Sequence, residues 1–254
     1  MINFEAIKAI YKFEMARTFR TIIQSLISPV LSTILYFIVF GTAIGKNMQL
    51  VSEIPYGAFI VPGLILLTVS MQSVTNASFG IFFPKFLGTT YELLSAPISY
   101  IEIIIGYVGA ATTKSFCLGL IILITSFFFV DIKVVYPMLM LLMLFLSCIS
   151  FSLLGFIIGI WSDNFEQINF VPMLIITPLV FLGGSFYTID ILPIFWQNIT
   201  FFNPIFYLIS GFRFSFFGEG EVSVWISIFS TVIFIVICNI IIWKMFKTGY
   251  KIKT

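Results

Sequence analysis

Long uncharged apolar runs recur along the chain, separated by short polar segments. About 20 apolar residues in a helix cross a hydrocarbon core of about 30 Å, so each such run predicts a membrane span. Residues 22–45 form the first, after a 21-residue start that carries Lys8, Lys12, Arg17 and Arg20. A secretory signal would be shorter and would end in a small-residue cleavage site, which Gly45-Lys46-Asn47 do not supply, so the segment is expected to stay in the mature chain. Residues 57–80 form the second run. Its far half is polar, with Gln72, Ser73, Thr75, Asn76 and Ser78, as suits a surface facing protein or water. Residues 136–161 and 222–243 are uninterrupted and predict spans four and six.

Two runs have awkward lengths. Residues 98–130 would make one helix of about 50 Å, too long for a core of about 30 Å, so part of it must leave the membrane, and span three is placed at 103–130. Residues 168–184 are short for span five and hold Pro172 and Pro178, tolerable where neighbouring groups satisfy the freed carbonyls. Between spans five and six, residues 185–221 are apolar but broken by Asp190, Pro193, Asn203, Pro204, Arg213 and Glu219. They predict two short re-entrant helices that meet at Asn203-Pro204, with many aromatics suited to interfacial depth. Residues 1–21 predict a helix lying on the membrane surface, although Glu14 and Arg17 point away from the face of Glu5, Lys8 and Lys12. The expected fold is a single all-α membrane domain, 1–254, of six transmembrane helices.

Composition agrees with this pattern and removes whole classes of function. Of 254 residues, 60% are hydrophobic and 9% charged, against about a quarter charged in soluble domains. Histidine is absent, which removes Ser-His and Cys-His nucleophile pairs and the HExxH zinc motif. Cys117, Cys148 and Cys238 sit in apolar runs without CxxC spacing and read as packing residues. No catalytic, metal or cofactor residues are therefore expected. A net charge of +2, with basic residues at the two ends, does not point to nucleic acid. No GxxxxGK[ST] or GxGxxG occurs, so ATP, if used, is bound by another subunit.

Charge also orients the spans. With both termini inside, the inner segments hold Lys8, Lys12, Arg17, Arg20, Lys85, Lys244, Lys247, Lys251 and Lys253, and the outer ones only Lys46, Lys133 and Arg213. Positive charge stays inside, so both ends and residues 81–97 are expected in the cytoplasm and 185–221 outside.

Several stretches carry a resemblance: Leu35-Tyr36-Phe37-Ile38 with Phe40-Gly41, Phe59-Ile60-Val61-Pro62-Gly63-Leu64, Tyr91-Glu92-Leu93-Leu94 with Ala96-Pro97, and Leu182-Gly183-Gly184-Ser185-Phe186-Tyr187. Asn203-Pro204, Tyr207 and Ser210-Gly211-Phe212-Arg213 complete the order. The chain resembles the membrane subunits of ABC type-2 exporters. That resemblance implies a homodimeric permease of a bacterial inner membrane, with an N-terminal amphipathic helix and a coupling helix between spans two and three. It also implies a separate cytoplasmic ATPase, two copies per complex, which binds the ATP and magnesium. One departure is Lys114, where relatives often carry arginine.

The candidate site residues follow. Lys85, Thr90, Tyr91, Glu92, Leu93 and Leu94 would form the ATPase-coupling surface, or else an ordinary interfacial turn. Gln72 and Asn76, four apart on one helix face, either line the substrate path or hydrogen-bond across a dimer. Lys114 has a depth that depends on where the long third run meets lipid, so it either snorkels or faces the interior. Asn203, Pro204, Tyr207 and Arg213 mark the outer gate, where Arg213 either caps carbonyls of the broken backbone or sits at the interface. A stand-alone carrier or channel would want internal repeats, which are not visible, and an intramembrane enzyme would want paired acids and bases. The transported substrate is not legible.

Overall fold

The computed structural model describes residues 3–44 and 54–251, with backbone alone at 41–44, 93 and 94. Helix α1 (Phe4–Arg20) opens on Asn3, whose side-chain oxygen accepts from the Ala6 N–H. Glu5 stands in its first turn and Arg17 and Arg20 in its last, the order a helix dipole favours. The first apolar run becomes a π turn (Ile23–Ile27), α2 (Ser28–Tyr36) and a second π stretch (Phe37–Ile44); Gly45 and Lys46 lie outside the described residues. The second run gives α3 (Tyr56–Phe59) and α4 (Val61–Phe86), which continues six residues beyond 80. Gly88, at φ 74°, supplies the left-handed residue that turns the chain into α5 (Thr90–Ser95).

Helix α6 (Tyr100–Ser126) starts at a capping box: the Glu102 N–H donates to the Ser99 hydroxyl, and the Glu102 carboxylate accepts from the Ser99 N–H. Helix α7 (Pro137–Trp161) opens on proline, which suits a first turn with no intrahelical N–H partner. Span five is divided into α8 (Phe165–Val171), a π turn (Pro172–Ile176) and α9 (Thr177–Leu182). There the N–H and hydroxyl of Thr177 both donate to the Pro172 carbonyl, the five-residue step that makes the π turn. A 3-10 turn (Ile189–Ile191) leads to α10 (Ile194–Phe201) and α11 (Pro204–Phe217), and α12 (Val224–Thr248) closes the chain.

The described residues form an all-helical fold, and among them six helices are long and apolar enough to cross a membrane. Helix α4 is the most buried of them, flanked by α7 and α6; the first and fifth spans lie largely exposed against it, and the sixth lies largely exposed against α7 and α11. Helix α11 is too short to span, yet it packs into the bundle through buried Phe206, Phe212 and Phe216 against α7, α12 and α4.

Helix α1 packs along the first half of α6. The Asn3 N–H donates to Glu102, Ile10 meets Gly106, the Tyr11 hydroxyl donates to Thr113 at 3.1 Å, and Glu14 meets Lys114 at 3.3 Å. Contacts advance along both helices together, so the two run parallel. At 27 residues α6 is about 40 Å long, still beyond a core of about 30 Å. The exposed Glu5, Lys8 and Lys12 of α1 mark the Tyr100 end of α6 as the part nearer water.

Candidate transport cleft and its two ends

The floor of the cleft is α4. Its partly exposed stripe, Thr68, Gln72 and Asn76, advances four residues at a time and so stays on one face. The first span borders it on one side, where the Thr33 and Thr68 hydroxyls stand 3.3 Å apart. Span five borders it on the other, where the Thr177 hydroxyl reaches the Met71 sulfur and Phe165 packs against Phe79. Between these walls lies an open cavity of about 420 Å³ lined by Tyr36, Phe40, Leu67, Met71, Phe181 and Phe186. Gln72 and Asn76 continue its floor, half-buried, with no side-chain hydrogen-bond partner among the described residues. Uncommitted amides on an apolar floor can engage passing polar groups without first breaking an internal bond.

At one end the α10–α11 segment is tied down by polar contacts. The Asn203 side chain accepts from the Ile205 N–H and donates to the Leu179 carbonyl at 2.6 Å, which fastens the Asn203-Pro204 break to span five. The Tyr207 hydroxyl donates to the Phe201 carbonyl at 2.8 Å. Arg213 is buried: its guanidinium lies over the Phe59 ring at 4.1 Å, donates to the Gly184 carbonyl and meets Glu221 at 3.4 Å. Glu221 accepts from the Ile189 N–H, so one ion pair joins α11, the turn after span five and the approach to α12. Burial pushes the Glu221 carboxyl up from the usual range, and Arg213 partly counters it.

At the other end stands the six-residue α5. Thr90 is buried, while Tyr91 and Glu92 are exposed, and Glu92 has no cationic partner among the described residues. The Leu93 and Leu94 side chains lie outside the described residues. Lys85 does not join this surface. It belongs to the last turn of α4, and its ammonium donates to the carbonyls of Ile160 and Ser162 and pairs with Asp163 at 3.5 Å. The hydrogen bond from Lys251, with its charge and that of Lys85, holds the Asp163 carboxyl below the usual range. Asp163 thereby links the ends of α4, α7 and α12.

Lys114 is brought to none of these places. Side chains on a helix lean toward its N-terminus, and that of Lys114 leans back along α6 to Glu14, which also pairs with Arg17 at 2.7 Å. Gly80 makes room for this group, since a methyl there would stand 3.1 Å from the Tyr107 ring and 3.6 Å from the Glu14 carboxyl. Sequence reading singles out Lys114 but neither Glu14 nor Glu221. The one available signal was a lone acid close to a span, and it does not name its partner.

Among the described residues, six helices long and apolar enough to cross a membrane, three of which border an open cleft, define a multi-pass membrane protein. Residues 5–217 match the ABC-2 type transporter family, and the chain belongs to it. It is 37% identical over 249 residues to the inner membrane transport permease YadH of Escherichia coli K12, covering 98% of this chain and 97% of that one. It is 24% identical over 217 residues to nodulation protein J of Rhizobium leguminosarum bv. viciae, covering 85% and 83%. Nodulation protein J of Rhizobium meliloti is 22% identical over 187 residues, covering 72% and 70%. The chain is thus the membrane permease subunit of an ABC exporter in an inner membrane, and the family implies a partner ATPase.

Proposed function

We propose that two copies of this chain face each other across their first and fifth spans, and that the substrate moves along the paired clefts. The observation that carries this reading is the cleft itself, with unpartnered Gln72 and Asn76 on its floor and two largely exposed spans as walls. Both termini and α5 lie in the cytoplasm, and α10 and α11 lie on the outer side. The chain hydrolyses no ATP; ATP and magnesium are held by the partner ATPase, which grips α5.

Glu92 makes the coupling surface testable. It is exposed, so Glu92→Ala should change stability by no more than about 0.5 kcal/mol. Loss of a charged contact across an interface costs about 2 kcal/mol or more when the partner charge stays buried. Glu92→Ala and Glu92→Lys should therefore reach the membrane in normal amount, yet co-purify less ATPase and lose substrate-stimulated ATP hydrolysis. Variants that couple like the parent would reduce α5 to a turn, and ATP turnover by the chain alone would overturn the division of labour.

A further inference from the structure

A second cavity, of about 430 Å³, lies away from the cleft, between α1 and the end of α4. Its walls include the apolar Phe13, Phe83 and Leu87, all exposed, and its polar side chains are Arg17, Arg20 and the hydroxyl-bearing Thr21 and Thr89. Its height in the membrane is set by chain continuity. Arg20 and Thr21 immediately precede the first span, which begins at Ile23, and Leu87 immediately follows α4. The cavity therefore lies where headgroups meet hydrocarbon, on the face that carries the N-terminus.

Its charge is lopsided. Glu14 is shared between Arg17 and Lys114, so one carboxylate serves two cations. Arg20 has no carboxylate partner among the described residues. Positive charge is thus left over at the rim of an apolar pocket of interfacial height. A soluble anion would use the arginines and leave Phe13, Phe83 and Leu87 in water. An uncharged acyl chain would use the walls and leave the arginines unanswered.

We infer that this cavity is a binding site for one anionic phospholipid of the surrounding leaflet, its phosphate held by Arg17 and Arg20 and its acyl chain laid against Phe13 and Phe83. Arginine presents several N–H donors in a planar fork that fits phosphate oxygens, and its leftover charge favours a headgroup with net negative charge over one whose own cation cancels it. The lipid would fill the angle between α1 and α4 and so brace α1, which is otherwise held chiefly by α6. The site stands whichever substrate crosses the cleft.

Native mass spectrometry of the full chain in detergent, titrated with dioleoyl-phosphatidylglycerol or dioleoyl-phosphatidylcholine, tests it. The expected result is a first phosphatidylglycerol retained at lower concentration than phosphatidylcholine, and not displaced by glycerol 3-phosphate, which lacks the acyl chains. Arg20→Gln, at an exposed residue whose loss spares the fold, should weaken that first binding about tenfold, the weight of one charge-assisted hydrogen bond. Lys12→Gln removes an equally exposed charge outside the cavity and should leave it unchanged. Equal retention of the two lipids, or equal loss in both variants, would overturn the site as mere charge attraction. Displacement by glycerol 3-phosphate would make it a plain anion site. Unchanged lipid binding in Arg20→Gln with reduced ATPase co-purification would assign the cavity to the ATPase instead.

Discussion

Lys114 and Glu14 are 2–6% exposed, and the consequences of removing one or the other are unequal. Lys114 has Glu14 as its one acceptor among the described residues, whereas Glu14 keeps Arg17 if Lys114 is lost. Orphaning a buried charge costs about 3–5 kcal/mol, while replacing both partners by apolar or neutral groups is far milder. Glu14→Gln should therefore destabilise more than Lys114→Met, and Glu14→Gln with Lys114→Met should recover part of the loss. Thermal unfolding of the three purified variants measures this, and a double variant no better than Glu14→Gln would show that the ion pair is not what holds α1 to α6. Lys114 was conspicuous in sequence as a charge within an apolar run; its partner, 100 residues earlier, was not, because an ion pair leaves no trace of separation along the chain.

Helices in lipid gain little from burying apolar surface against each other, so their closest approaches depend on small residues. Gly155 and Gly159, four apart on α7, provide one. A methyl built on Gly155 would stand 2.4 Å from the Val74 carbonyl oxygen, and on Gly159 2.5 Å from that of Ser78, so the α4 backbone lies directly against α7. Backbone cannot rotate away as a side-chain tip can, and overpacking of this kind costs about 1–3 kcal/mol. Gly155→Ala should lower the unfolding midpoint in a denaturing detergent titration. Gly109→Ala, in α6 with no atom within 4 Å of the added methyl, should not lower it, since alanine favours the helix over glycine. Equal effects would mean that helix propensity, not contact, sets the response. The Gly-x-x-x-Gly spacing was present in the clean apolar run of span four, but spacing alone does not tell whether such a face meets its own chain or another copy. Here it meets α4.

Apart from Lys114, within α6, the molecule carries its lysines and arginines at or beyond the ends of its spans, which is why orientation can be argued from them. In a background without the three native cysteines, Trp196→Cys in α10 should react with an impermeant maleimide added outside intact cells. Tyr91→Cys in α5 should react only after permeabilisation. The reverse pattern would invert the proposed topology and remove α5 from reach of a cytoplasmic ATPase. What the sequence by itself determined is the number of spans and the break at Asn203-Pro204, because partition into lipid and proline geometry act on neighbours in the chain. What only the tertiary structure decided is which groups meet: Glu14 with Lys114, Arg213 with the Gly184 carbonyl, Lys85 with the end of α7, and the first and fifth spans across the face of α4. These pairings join residues far apart in sequence, and they are selected by the packing of whole helices, in which each side chain's partner depends on the rotation and tilt of the helix that bears it.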